Sequence, residues 1–165
     1  LRGLAEDQFD AGIRLGELVA PNMVAVKIGP NLRMAAVAAP DYLARRGLPR
    51  TPHQLTGHSC INFRMPSSGR LYAWEFKKGK QEIKVHAGGP LTFDDPDMIL
   101  AAAVDGQGIA CLIEDHAAAA IADGSLIRLL EDWCPPFPGY HLYYQTRKNH
   151  STAFRLLVER LRFRG

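Results

Sequence analysis

The spacing of apolar and polar positions changes period repeatedly along this chain, and each change marks an element. Leu1 to Gln8 reads as the end of a helix, and Phe9 to Leu15 (FDAGIRL) alternates as a strand until Gly16 breaks it. Met23 to Ile28 and Arg33 to Ala39 read as two further strands around a Gly29-Pro30-Asn31 turn. Asp41 to Arg46 is a short helix closed by Gly47, Thr51-Pro52 repeats a cap-plus-proline signature over one turn, and Ser59 to Arg64 is a strand. Tyr72, Trp74 and Phe76 alternate, as do Ile83 and Val85, with Gly79 between the runs, so residues 71–86 form a hairpin.

The most informative stretch follows. Leu91-Thr92-Phe93 reads as a strand that feeds a helix start at Asp94-Asp95-Pro96-Asp97. The Asp95 carboxylate can accept from free amides of the first turn, and Pro96 occupies the first helical position, where a missing N–H costs nothing. Asp97 adds negative charge at the positive end of the helix dipole. Met98, Ile99, Ala102 and Ala103 supply an apolar face, Gly106 and Gly108 allow a stop and tight return, and a strand runs on to Leu112. Strand, helix and strand in this order make a βαβ unit of an open α/β sheet, where ligands tend to bind at strand ends beside helix N-termini. A second helix runs from about Glu114 to Ala122 and stops at Asp123-Gly124, before a short strand at Leu126 to Leu130. Trp133 to Gly139 is a proline-rich crossover, Tyr140 to Thr146 a strand, and Ser151 to Arg162 a helix. In that helix Phe154, Leu157, Val158 and Leu161 have the spacing of a core-facing stripe.

Composition narrows the class. With 165 residues, 47% of them hydrophobic, the chain can build one domain or two small lobes around a core. No apolar run approaches the ~20 residues of a membrane span, and no export signal is legible at the start. Cys60, Cys111 and Cys134 are odd in number and widely spaced, which argues against a disulfide framework and suits a reducing cytoplasm. Net charge is +3 but uneven: residues 93–132 carry nine acidic side chains against Arg128, and residues 141–165 six basic ones against Glu159. The basic end is read as a solvated helix face rather than a nucleic-acid contact. Neither cysteines nor the six histidines (His53, His58, His86, His116, His141, His150) show metal-ligand spacing, so no metal and no cofactor is expected. No Gly-x-Ser-x-Gly elbow precedes a helix, and Gly106-Gln107-Gly108 follows a helix rather than a strand, which leaves no catalytic or dinucleotide motif.

Four segments, in order, resemble the effector-binding region of LysR-type transcriptional regulators. They are FDAGIRLGE (9–17), VAAPDYLARRGLPRTPHQLTGHSCINFR (37–64), DDPDMILAAAVDGQGIACL (94–112) and GYHLYYQTRKNHSTAFRLLVERL (139–161). The resemblance implies two α/β lobes similar to type 2 periplasmic binding proteins, joined by two crossing strands. Residues 1–35 and 140–165 would form lobe one and 36–139 lobe two. It further implies a small-molecule inducer bound in an interlobe cleft, a cytoplasmic homo-oligomer, and no membrane association. DNA would be reached only through a winged helix-turn-helix outside this stretch, and the first strand, helix and second strand of lobe one would lie outside it too. A solute-binding protein of the same fold and a small α/β enzyme are the alternative classes.

Candidate ligand contacts are Arg14, Gly16, Arg64, Thr92, Phe93, Asp94, Asp95 and Tyr144. Arg14 is either an exposed edge-strand residue or a guanidinium fork for an inducer carboxylate. Thr92, Phe93 and Asp94 flank the central helix start, which serves either as a simple cap or as a polar-group site. Asp94 would repel an anion, favouring a neutral or hydroxylated ligand unless it points away. Arg64 ends the strand after Cys60. Tyr143 and Tyr144 alternate on the closing strand, so one faces the core and the other the cleft or solvent.

Overall fold

A computed structural model describes residues 9–16, 22–66, 68–146 and 150–165; the helix end expected over Leu1 to Gln8 lies outside them. In chain order the strands are β1 (Gly12–Leu15), β2 (Met23–Lys27), β3 (Met34–Ala38), β4 (Cys60–Phe63) and β5 (Trp74–Lys78). They continue with β6 (Gln81–Val85), β7 (Leu91–Phe93), β8 (Ile109–Ile113), β9 (Ile127–Leu129) and β10 (Tyr140–Gln145). The α-helices are α1 (Pro40–Arg46), α2 (Pro96–Val104), α3 (Glu114–Ala122) and α4 (Thr152–Leu161).

The chain divides into two compact units, residues 1–32 with 136–165 and residues 33–135. These breaks differ from those expected at 35/36 and 139/140: Met34 and Ala35 pair with Ile113 and Leu112 inside the second unit's sheet. Phe137 bridges Leu32 in the first unit.

Unit 1 is a three-stranded antiparallel sheet in the order β1-β10-β2. Val26, Leu142 and Val158 are buried together, with Val24, Ile28, Tyr144 and Phe154 packed around them, so α4 lies on one sheet face. The Ser151 hydroxyl caps α4 by accepting from the Phe154 amide at 3.2 Å. The expected stripe on α4 is only partly covered: Val158 is buried, whereas Leu157 is 51% and Leu161 37% exposed.

Unit 2 is built on a five-stranded sheet, β7-β4-β8-β3-β9, and a two-stranded hairpin, β5-β6. Strands β7 and β8 both run parallel to β4, which lies between them, so α2 is the crossover of a true βαβ unit. Strand β3 is antiparallel to β8 and β9, making the sheet mixed. The period-2 alternation sorts the core onto two faces. Ala36, Ala38, Cys60, Ile109 and Cys111 pack with Tyr42, Leu43, Leu55, Trp133 and the hairpin residues Trp74, Phe76 and Val85. Ala35, Val37, Ile61, Ala110 and Leu112 face Ile99 and Ala103 of α2 and Ala117 of α3. The small side chains of β3 let a helix and a hairpin approach both faces closely.

Turn chemistry follows the sequence. Asp95 caps α2 by accepting from the Asp97 amide at 2.8 Å. Gly106 takes a left-handed φ of 73° after α2. Gly108 has another reason: a Cβ there would fall 2.5 Å from the Ser59 carbonyl oxygen. Thr51 opens a 3-10 helix, Pro52–Gly57, with a reciprocal capping box to Gln54.

Candidate functional site

In unit 2, the carboxyl ends of β4 and β7 meet the start of α2, where an open α/β sheet presents free backbone groups. The Arg64 amide donates to the Phe93 carbonyl at 2.7 Å, which brings Arg64 against the β7–α2 turn. Its guanidinium is turned to the Gly69 carbonyl, 2.8 Å from Nη1. Thr92 is exposed, as are Asp94 and Asp95, and the Asp95 carboxylate is committed to the cap. Register pairs Thr92 with Asn62 and Phe93 with Phe63.

Alternation then separates two of the expected contacts. Phe93 lies on the α2 face, packed with Phe63 against the cluster of Ile61, Ile99 and Ala103. Thr92 lies on the opposite face beside Asn62, a polar residue only 4% exposed. Sequence reading missed Asn62. Its signal was an amide side chain within the apolar Cys60-Ile61-Asn62-Phe63 run, where burial demands polar partners.

In unit 1, β1 is the edge strand of the sheet among the described residues, and Arg14 is exposed on it. Register places Arg14 beside His141, and His141 beside Lys27, so three basic residues cross the sheet on one face. His141 is 5% exposed, with Nδ1 3.0 Å from the Gly139 carbonyl. Gly16 follows with φ 77°. Its amide donates to the Gly139 carbonyl at 3.0 Å, and its carbonyl accepts from the Tyr143 hydroxyl. Tyr144 sits on the other face, edge-on to Phe154 at 5.3 Å and to His150 at 5.0 Å. Tyr144 and Arg14 therefore lie on opposite faces of the sheet, and Tyr144 packs against Phe154 of α4. The fully buried Tyr143 is the tyrosine that reaches Gly16.

A polar recess of about 350 Å³ opens at the other end of the unit 2 sheet, between Asp41, Arg45, Asp105 and Ser125. It contains none of the expected contacts. Near the sheet, burial raises the Tyr42 phenol, whose oxygen lies 3.2 Å from His58 Nδ1. Burial, aided by the Arg46 cation, lowers the neighbouring imidazole. Among the described residues no cluster of three His, Cys, Asp or Glu could hold a metal ion, and no helix is long and apolar enough to cross a membrane.

The architecture is that of an α/β protein built in two compact units around a mixed sheet and an antiparallel one. The LysR substrate binding domain model matches residues 1–164, so the chain belongs to that family, the effector-binding domains of LysR-type transcriptional regulators. It is 49% identical over 162 residues to a putative transcriptional regulator of Pseudomonas aeruginosa, covering 98% of this chain and 53% of the relative. It is 41% identical over 165 residues to the HTH-type transcriptional regulator PgrR of Escherichia coli, covering 100% of this chain and 55% of the relative. The chain thus spans about half the length of these curated relatives. Among solved structures, the regulatory domain of the C227S variant of AphB from Vibrio vulnificus superposes with a TM-score of 0.78 at 23% identity. That match covers 94% of this chain and 75% of the other and shows a shared fold.

Proposed function

We propose that this chain is the sensing part of a LysR-type regulator. It takes a small-molecule effector and passes the binding event to a helix-turn-helix domain elsewhere in the same polypeptide. The observation that carries this reading is the family match over residues 1–164, joined by polar strand ends at Asn62 and Thr92 beside the start of α2. Relatives named as HTH-type regulators supply the DNA-binding partner. A regulator of DNA works in the cytoplasm, and this reading calls on no catalytic step. A homo-oligomer is the working assembly.

The contacts proposed in unit 2 are Thr92, Asn62, Arg64 and Asp94; Arg14 and Gly16 are those proposed in unit 1. Effector binding shifts a conformational equilibrium only by the difference in its affinity for the two states. A thermal-shift panel of small carboxylates and small polyols, run on this chain, tests the reading. A stabilising compound whose affinity falls about fivefold in Thr92→Ala or Arg14→Ala, the loss of one hydrogen bond, supports it. A compound bound equally well by both variants places the site elsewhere.

A further inference from the structure

The chain passes between its two units twice, at Leu32–Arg33 and at Pro135–Pro136. These passages are tied together on both sides. In unit 1, Leu32 and Phe137 form an antiparallel bridge, each amide donating to the other's carbonyl, at 3.0 and 2.8 Å. Close by, Gly139 approaches Pro30 so tightly that a Cβ would fall 2.0 Å from the Pro30 carbonyl oxygen. In unit 2, the Arg33 side chain spans the gap: Nε donates to the Cys134 carbonyl at 2.9 Å and Nη2 to the Glu131 carbonyl at 3.2 Å. Nη1 lies 3.7 Å from the Glu131 carboxylate.

That carboxylate continues the chain of charges. It stands 3.9 Å from Nη1 of Arg128, which itself pairs with Glu114. The Glu114 amide then returns to the Arg33 carbonyl at 2.9 Å. Arg128 is largely buried, its side chain 13% exposed, while the Glu131 carboxylate between the two arginines is 63% exposed. Few other bonds can hold these segments, because Pro30, Pro135, Pro136 and Pro138 lack amide donors. Leu130, which leads into this stretch, is buried and held at φ 52°, a conformation a branched side chain seldom takes.

We propose that Arg33 is a positioning residue: its guanidinium fastens the two passing segments into one strap. Glu131 carries the fastening to Arg128 in β9 and through it to Glu114 at the start of α3. An arginine suits the task because its planar fork donates in several directions at once, whereas a lysine ammonium is a single point of charge. Without Arg33 the passages keep the main-chain bridge of Leu32 and Phe137 and lose the side-chain bonds to Cys134 and Glu131.

Amide hydrogen exchange on the whole chain, resolved by residue, tests this in wild type, Arg33→Ala and Arg33→Lys. In Arg33→Ala, exchange at Leu32 and Phe137 should rise about tenfold, as expected for losing one to two net hydrogen bonds. Arg33→Lys should lie between, and the amides of Trp74 to Val85 should hold their wild-type rates. Wild-type exchange at Leu32 and Phe137 in Arg33→Ala would overturn the proposal. So would a rise spread evenly over both units, which would make Arg33 an ordinary stabilising residue. Should Arg33→Ala fail to fold, Arg33→Lys decides alone: faster exchange confined to the strap supports the fastening, and unchanged exchange overturns it.

Discussion

Cys60, Cys111 and Cys134 share one apolar cluster, and burial raises all three thiols, Cys60 to about 12. A thiol held protonated is a poor nucleophile, so native protein should resist iodoacetamide at neutral pH and react in denaturant; rapid native labelling counted by mass spectrometry would contradict this. The same shift has a stability consequence. Burial pushes the Cys60 thiol from its ordinary value of 9.0 up to about 12, so between those values the unfolded state binds fewer protons. Stability should therefore be intact below pH 9 and fall as pH rises above it, with a shallower fall in Cys60→Ala, read from urea curves. At Gly89 a Cβ would lie 1.9 Å from the Cys60 carbonyl oxygen, so Gly89→Ala must displace main chain. A loss of ~1–3 kcal/mol is expected from the same curves. The caps were legible at this scale, because Asp95 and Pro96 act through their own backbone neighbours. Which way Phe93 and Tyr144 point was not. Alternation shows that neighbours face opposite sides without saying which side a helix will cover.

Helix α2 and strand β7 show how far local pattern carries at the scale of elements. The strand-cap-helix-glycine order of residues 91–108 was readable, and each piece formed where its chemistry dictates. Asp95→Ala should remove the bond to the Asp97 amide and lower stability by ~1 kcal/mol, measured by thermal melting, while Asp95→Asn holds most of it. Helix α4 is the contrary case. Its stripe had the right spacing, yet Leu157 and Leu161 stay substantially exposed while Val158 is buried. Spacing tells which residues align, and the number of packed neighbours comes from tertiary placement. Truncating Leu157 to Ala should thus cost less than the 2–5 kcal/mol usual (~) for a buried leucine. Asn62 and the pairing of β7 with β4 were hidden for a related reason. Parallel partners are chosen by a crossover, not by neighbours in sequence.

For the molecule as a whole, unit 2 is continuous in sequence and unit 1 is assembled from both ends of the chain. Its central strand is β10: Gly12 pairs with Tyr143 on one side, and Met23 with Gln145 on the other. In the sheet order neither β1 nor β2 pairs with the other. During vectorial synthesis β1 and β2 therefore leave the ribosome long before their shared partner β10 exists. Residues 33–135 can fold meanwhile, because the contacts of unit 2 lie within that stretch. The sides of β1 and β2 that β10 will pair stay open until residue 145 emerges, a window in which a holding chaperone would have most to do.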